Sequence, residues 1–304
     1  SCNMLSVLIP IYNHDVNNLV TTLDQQLTQS GIPYEIILAD DCSDNLDYRK
    51  RNENLSRLAS VQYIQNQSNM GRAKIRNRLA DTAQYPYLLF IDCDATVQHQ
   101  DYIKKNLEAI EKMQKEPLFV INGGIAYQAE KPDSKYFLRW YYGKKREEES
   151  ADKRASQPYH HFTPFNVVIT KSLFQCTNFD ESLTSYGHED TLFGCQLKEQ
   201  EIPYLHIDNH LIHNGLDTNE EFLKKIRVSI GNLTKLSEDQ NINKHLLEDN
   251  KLLKAYRSCS IIGLPFFLKL IFKKYQTRIE QQLCEKPSMF LLDLYKLCYL
   301  ATIK

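Results

Sequence analysis

The chain has 304 residues, 42% of them hydrophobic and 25% charged, which excludes a largely disordered polymer and provides enough length for one large domain or two small ones. Its formal net charge is −1, and its eight cysteines, Cys2, Cys42, Cys93, Cys176, Cys195, Cys259, Cys284 and Cys298, contain no C-x-x-C pair. Neither a zinc ribbon nor a secreted disulfide framework is indicated, and reduced thiols are expected.

The first residues, SCNMLSVLIPIYN, lack the charged segment, long apolar core and cleavage site of a secretory signal, so none is expected there. Ser6 to Tyr12 is a β-branched and aliphatic run predicted as a strand. Val16 to Ser30 sets Leu19, Leu23 and Leu27 at helical spacing and stops at Gly31, and Tyr34 to Asp40 is a second strand. Val61 to Ile64 fits a third strand, Arg72 to Gln84 a helix and Tyr87 to Ile91 a fourth strand. Strands alternating with helices predict parallel pairing and an α/β sheet with right-handed crossovers. Ligands of such open sheets bind beyond the carboxyl ends of the strands, where Tyr12, Asp41 and Asp92 fall.

Asp101 to Lys115 is predicted as a helix, and Leu118 to Asn122 as a strand running into Gly123 and Gly124. Gly143 to Gln157, GKKREEESADKRASQ, is dense in charge and poor in apolar residues and reads as a mobile surface loop. A strand over Phe165 to Thr170, a helix from about Glu189, a strand near Ile202 to Ile207 and a helix after Thr218 follow; Thr218 with Glu221 fits a capping box. Residues beyond Lys244 read as wholly helical.

From Lys251 to Lys304 there are ten Lys or Arg against three Asp or Glu, a local charge of +7 that leaves −8 for the rest of the chain. The uncharged run SCSIIGLPFFL between Arg257 and Lys269 falls short of the roughly 20 apolar residues a membrane span needs. Lys269, Lys273, Lys274 and Arg278 beside Phe266, Phe267, Leu270 and Phe272 suit a helix lying on an anionic membrane surface. A tail packed on the rest of the chain, with its cations in water, is the equal alternative.

The stretch LLFIDCDATV ends its strand in Asp92 and Asp94. Carboxylates at the end of a buried strand need hydrogen bonds, cations or a metal. A D-x-D here can hold a hard divalent cation such as Mn2+ or Mg2+, which takes oxygen ligands and bridges phosphates. Alone the pattern says little, since Asp92 equally fits a turn cap and Asp94 a solvated loop acid.

Four segments occur in order: SVLIPIYN, ILADDCSDN (37–45), NMGRAKIRN (69–77) and FIDCDA (90–95), with GHEDTLFG (187–194) and, more weakly, HNGLDTNEEFL following. Together they resemble the family 2 glycosyltransferases of bacterial polysaccharide synthesis, inverting enzymes of the GT-A fold, over roughly Ser6 to Leu223. The resemblance implies a mixed, mainly parallel sheet with flanking helices and a helical C-terminal extension. It divides the chain into a GT-A domain, 1–240, with a nucleotide-binding half (1–97) and an acceptor and catalytic half (98–240), and an extension over 241–304.

By the same resemblance, Pro10, Tyr12 and Asn13 flank the nucleotide base, and Asp41 accepts a hydrogen bond from it. Gly71, Arg72 and Arg76 receive the diphosphate at a helix start, where backbone donors and guanidinium groups favour an anion. Asp92 touches ribose or metal, Asp94 binds Mn2+ or Mg2+, and His213 is a further metal ligand that spacing alone does not separate from His206 or His210. Asp190 acts as the base, with Glu189 on acceptor or donor hydroxyls; their side chains diverge by about 100°, so one of them faces the reacting centre. Acids in a helix's first turn also complement its dipole, which is the plain alternative for this pair. Gly123 and Gly124, Asn166, His188 and Trp140, the only tryptophan, are weaker candidates for the sugar or acceptor. A tight turn explains the glycines equally well, and core packing the tryptophan.

The reading is a metal-dependent inverting glycosyltransferase that moves a sugar from a nucleotide-sugar donor, a UDP-sugar for preference, to a hydroxyl of a glycan or lipid-linked acceptor. A cytoplasmic location, peripheral at the inner face of the cell membrane, is expected, without nucleic-acid binding. The run LLFIDCDATV also matches the D-x-D-x-T strand of haloacid dehalogenase-like phosphatases, although that class carries it on the first strand. A non-catalytic sugar-nucleotide-binding protein is the third possibility, and a dinucleotide-binding dehydrogenase is disfavoured further by the lack of G-x-G-x-x-G after any strand.

Overall fold

β1 (Leu5–Ile11) is apolar on both sides because both sides are covered. Leu5, Val7, Ile9 and Ile11 enter one core and Leu8 another, which is the period-2 alternation of a strand buried in the middle of a sheet. This computed structural model describes residues 4–160, 162–182, 187–238, 248 and 250–304. The chain divides into two units, one of 1–127, 148–184 and 189–215, the other of 128–147, 185–188 and 216–304. The helical unit thus begins at 216 and recruits 128–147, whereas the sequence division fell at 240.

In the first unit, β2 (Tyr34–Asp40), β3 (Val61–Gln65) and β4 (Tyr87–Ile91) join β1 in parallel. β8 (Asn166–Thr170) runs antiparallel between β4 and β6 (Val120–Asn122), and β9 (Tyr204–His206) closes the edge, giving the order β3-β2-β1-β4-β8-β6-β9. Helices α1 (Asn17–Ser30) and α4 (Tyr102–Met113) cover one face, while α3 (Arg72–Thr82) and α8 (Glu189–Glu199) cover the other. α1 ends on Gly31 at φ +69°, a left-handed turn that glycine adopts at little cost. α2 (Leu46–Glu53), missed in the sequence because it has no apolar stripe, is capped by the Asn45 side chain accepting from Tyr48 N.

A small second sheet stands at the carboxyl end of β4. β5 (Ala95–Thr96) pairs antiparallel with β10 (Leu211–His213), which pairs in parallel with β7 (Ile125–Ala126). Strands of two or three residues carry too little periodicity to be seen in sequence. Their register matters, because it sets His213 opposite Ala95, next in the chain to Asp94.

The segment 143–157, expected to be mobile, is instead anchored by its own charges. Glu147 pairs with Arg139 at 3.1 Å and Arg146 with Asp293 at 2.7 Å, both within the helical unit. In the first unit, Glu148 accepts from Tyr127 N, and α6 (Ala151–Ala155) delivers Arg154 to the sheet edge. Arg154 donates to the carbonyls of Asn122 (3.1 Å) and Ile207 (2.8 Å) and to His206 Nδ1 (2.9 Å).

The helical unit contains α5 (Phe137–Tyr142), α9 (Asn219–Glu238), α10 (Lys251–Ile261), α11 (Leu264–Glu285) and α12 (Met289–Ile303). The expected capping box is present, with Thr218 N donating to Glu221 Oε2 at 2.9 Å and Glu221 N to Thr218 Oγ1 at 3.3 Å. Leu138, Phe222, Ile226, Ile230, Leu268, Phe272 and Leu283 form its core. Fully buried Tyr295 there carries a hydroxyl shared between Arg227 and Glu280. The helical expectation beyond Lys244 falls outside the described residues at 245–247 and 249, as does Cys2; the seven other cysteines are free thiols.

Candidate active site

The carboxyl ends of β2, β1 and β4 lie side by side, so the residues following them converge. Beyond β1, Tyr12 is exposed and its hydroxyl donates to Asp44 at 3.0 Å. Asn13 sits at φ +49°, and its side-chain oxygen accepts from the backbone N–H groups of Asp44 and Asn45. Pro10 is half-buried in the strand itself. Tyr12 and Asn13 thereby fasten the β2–α2 loop to the end of β1.

Beyond β2, Asp40 is fully buried and accepts from Ser43 N at 2.8 Å. Asp41 accepts from Met70 N (2.7 Å), Gly71 N (3.0 Å) and Asn66 Nδ2 (3.1 Å). Three bonds use three of about four acceptor positions on a carboxylate, leaving one for a ligand. Its visible work is to hold the loop leading to α3. Gly71, at φ +84°, starts that helix without a capping side chain.

α3 then presents two arginines. Arg76 is 3% exposed; its Nη2 lies 2.6 Å from Asp92 Oδ1, and its Nε is buried without a partner. Arg72 Nε lies 3.2 Å from Glu189 Oε1. Glu189 and Asp190 open α8, and each has one buried oxygen with no hydrogen-bond partner, Oε2 and Oδ1. Burial pushes the Asp190 carboxyl up to about 7, Glu189 and Asp92 adding to the rise while Arg72 and Arg76 oppose it. Asp92, Arg76, Arg72, Glu189 and Asp190 therefore make one charge cluster, drawn from β4, α3 and α8.

Next to it, Asp94 Oδ2 lies 3.2 Å from His213 Nε2. The imidazole packs between Tyr127 and Phe165, with centroids 5.4 Å away in each case, and its Nδ1 is buried without a partner. Burial presses the Asp94 carboxyl upward, but the hydrogen bond and charge of His213 outweigh it and hold the group below the usual range. Gly215 passes so close that a Cβ built on it would stand 2.1 Å from Asp94 Oδ2, so only glycine fits beside the carboxylate. Gly215 escaped the sequence reading although it follows directly on H-N in HLIHNG; its role here is to leave room for the Asp94 carboxylate.

A carboxylate and an imidazole converging at a strand end are a donor pair that could hold a divalent cation. Among the described residues no three His, Cys, Asp or Glu side chains gather as a ready-made metal cage. Asp92, named with them from the sequence, is turned to Arg76. Of the three histidines, His206 is spent on Arg154 and the Pro158 carbonyl, and burial lowers it to about 4; His210 faces His99 at 3.4 Å. His213 is the one beside Asp94.

The weaker candidates have other work. Asn166 is buried, accepting from Tyr102 Oη at 2.6 Å and donating to the carbonyls of Gly124 and Asn209, both at 2.9 Å. A Cβ on Gly123 would strike the Asn166 amide at 2.5 Å, and one on Gly124, at φ +91°, would strike Arg154 at 2.8 Å. These glycines make room for protein side chains. His188, at φ +76°, bonds the Ser229 carbonyl through Nε2 at 3.0 Å within the helical unit. Trp140, also there, donates to the Gln128 carbonyl and stacks on Phe137.

A mainly parallel sheet with helices on both faces, carrying cations and carboxylates at the carboxyl ends of its central strands, is the α/β architecture that the GT-A class shares. The sequence model of glycosyl transferase family 2 matches residues 6–177, more than half of the chain, and the chain belongs to that family. It is 32% identical over 113 residues to the amylovoran biosynthesis glycosyltransferase AmsB of Erwinia amylovora, covering 36% of each chain. It is 32% identical over 107 residues to the putative teichuronic acid biosynthesis glycosyltransferase TuaG of Bacillus subtilis, covering 34% of this chain and 41% of that one. A glycosyltransferase of Haemophilus influenzae described as uncharacterized is likewise 32% identical, over 36% of this chain and 35% of its own length. The matched segments thus span about a third to two-fifths of these relatives.

Among solved structures, the mannosyltransferase PcManGT from Pyrobaculum calidifontis, in complex with GDP-Man and Mn2+, has a TM-score of 0.55 at 13% identity, covering 98% of this chain and 85% of that one. S. aureus TarS has a TM-score of 0.51 at 17% identity, with 98% and 55% covered. Both share the fold. The phosphatase alternative lapses with the family assignment, and with the place of the D-x-D strand as fourth in the chain and central in the sheet.

Proposed function

We propose that this protein is an inverting, metal-dependent glycosyltransferase of polysaccharide assembly, using a nucleotide-sugar donor, a UDP-sugar for preference, and a hydroxyl of a glycan or lipid-linked acceptor. The observation that carries this reading is the cluster of Asp92, Arg76, Arg72, Glu189 and Asp190, in which a base candidate stands with anion-binding groups at the strand ends. The names of AmsB and TuaG support the polysaccharide setting.

Tyr12 offers an aromatic face to the base, and Asp41 retains one acceptor position for it. The diphosphate meets the start of α3, where Arg72 and Arg76 supply planar, charged donors. Asp94 and His213 would hold the cation; Mn2+ or Mg2+, when bound, neutralises charge developing on the diphosphate.

Asp190 takes the proton of the acceptor hydroxyl, and the oxygen forms its bond to the anomeric carbon on the face opposite the nucleotide. The bond from that carbon to the diphosphate oxygen breaks, and its electron pair leaves with the nucleoside diphosphate. Glu189, held by Arg72, orients hydroxyls beside the reacting centre.

The test is a thermal-shift panel of UDP-, GDP-, dTDP- and CMP-sugars with and without Mn2+, followed by NMR of the anomeric configuration of any product. A shift for one nucleotide class that needs Mn2+ is expected. No shift with any nucleotide sugar, or retention of configuration, sinks the reading.

A further inference from the structure

α10 and α11 meet at a sharp corner, bent by 113°. Ile262 N bonds the Cys259 carbonyl and Gly263 N the Ser260 carbonyl, and Gly263, at φ +68°, turns the chain into α11 with Pro265 in its first turn. At this corner Ile261 is 86% exposed, Ile262 75%, Phe266 65% and Phe267 58%. Leu270, Ile271 and Tyr275 prolong the exposed stripe along α11, while Leu268 and Phe272 face the unit's core. The helix is thus apolar on two sides, of which one is packed. An apolar patch of this size in water marks an interaction surface.

The charges around it choose the occupant. Residues 251–278 contain seven cations, Lys251, Lys254, Arg257, Lys269, Lys273, Lys274 and Arg278, and no Asp or Glu. All but Lys269 are exposed. A second copy of the same corner would set seven cations against seven, so self-pairing is opposed. An anionic lipid surface satisfies both features, apolar tips in the acyl boundary and cations among phosphates. No single described helix is long and apolar enough to cross a bilayer.

We propose that the α10–α11 corner docks the protein on an anionic bilayer, with Ile261, Ile262, Phe266 and Phe267 entering the headgroup–acyl boundary and Lys273, Lys274 and Arg278 contacting lipid phosphates. This inference stands apart from the transferase reading: vesicle binding without nucleotide binding would refute only the latter.

The experiment is flotation of the full chain with phosphatidylcholine vesicles, with and without phosphatidylglycerol, at low and high salt. Binding that requires phosphatidylglycerol and weakens in salt is expected. Phe266→Ser with Phe267→Ser, and separately Lys273→Glu with Lys274→Glu, each lower the bound fraction constant about tenfold or more, because each cation contributes about fivefold. All four side chains are exposed, so circular dichroism and Tm stay as in the parent chain. A folded parent chain that fails to float, or flotation unmoved by both double substitutions, overturns the proposal. So does self-association, seen by light scattering and abolished by the serine pair, in place of vesicle binding.

Discussion

Arg76 Nη2 stands 2.6 Å from Asp92 Oδ1, joining the first turns of α3 to the residue that follows β4. The guanidinium is almost wholly enclosed, so this pair fixes how the helix start faces the strand end. Removing the arginine leaves Asp92, whose side chain is 21% exposed, without its cation, which costs less than the roughly 3–5 kcal/mol of a fully buried pair but still more than a surface one. Arg76→Ala is therefore expected to lower Tm markedly and to weaken UDP binding, measured by calorimetry at a temperature where the variant is folded. Arg76→Lys recovers part of the stability but not the two-pronged geometry.

Asp190 predicts a pH profile. Its carboxyl is raised to about 7, and a base must be ionised to accept a proton, so kcat/KM should rise with pH and level off above about 7. Asp190→Asn should lose transfer by about 10³-fold or more while still binding donor. A binding protein without catalysis would show no such loss.

The same raised group predicts a stability effect of opposite sense. Between the unfolded carboxyl range and about 7, the folded state holds a proton that the unfolded state has released, so stability falls as pH rises through that window. Asp190→Asn should therefore melt above the parent protein at pH 8 and close to it at pH 4, by differential scanning calorimetry.

Asp94 and His213 predict the metal response. With UDP present, Mn2+ should raise Tm, and chelation by EDTA should reverse it. Asp94→Ala and His213→Ala should each remove most of that increment. Gly215→Ala should do the same without touching either ligand, since its methyl would occupy the space of Asp94 Oδ2. An undiminished Mn2+ increment in Gly215→Ala would place the cation elsewhere.

Arg154 predicts a purely structural loss. It holds the carbonyls of Asn122 and Ile207 and the ring of His206 at the far edge of the sheet. Orphaning these acceptors costs about 2–4 kcal/mol. Arg154→Ala should lower Tm and leave the KM for donor unchanged.

Much of this arrangement was legible in the chain. β1, β2 and β4 are runs of apolar residues closed by polar ones, which mark both the strands and the edge where ligands gather. Asp92, Asp94, Arg72, Arg76 and the Glu189–Asp190 pair come from the ordered motifs and their family resemblance, since each alone also fits a cap, a helix dipole or a solvated loop; the fold gathers five of them into one charge cluster. What escaped detection depends on distant contacts. The charge-rich 143–157 segment gives no sign that Glu147 meets Arg139 or that Arg154 plugs the sheet edge. Gly123, Gly124 and Asn166 stood only as weaker sugar or acceptor candidates, and nothing in the sequence shows that they interlock with each other and with Arg154. β5, β7 and β10 are too short to show a period, yet their register separates His213 from His206 and His210.

The carboxylate of Asp41 reaches across to the amides of Met70 and Gly71. The turn ahead of α3 is consequently rigid before any donor arrives. On the proposed reading, an incoming nucleotide would forfeit no affinity to ordering this turn, and Asp41→Ala should be felt as slower, entropically handicapped capture even by ligands that never touch residue 41.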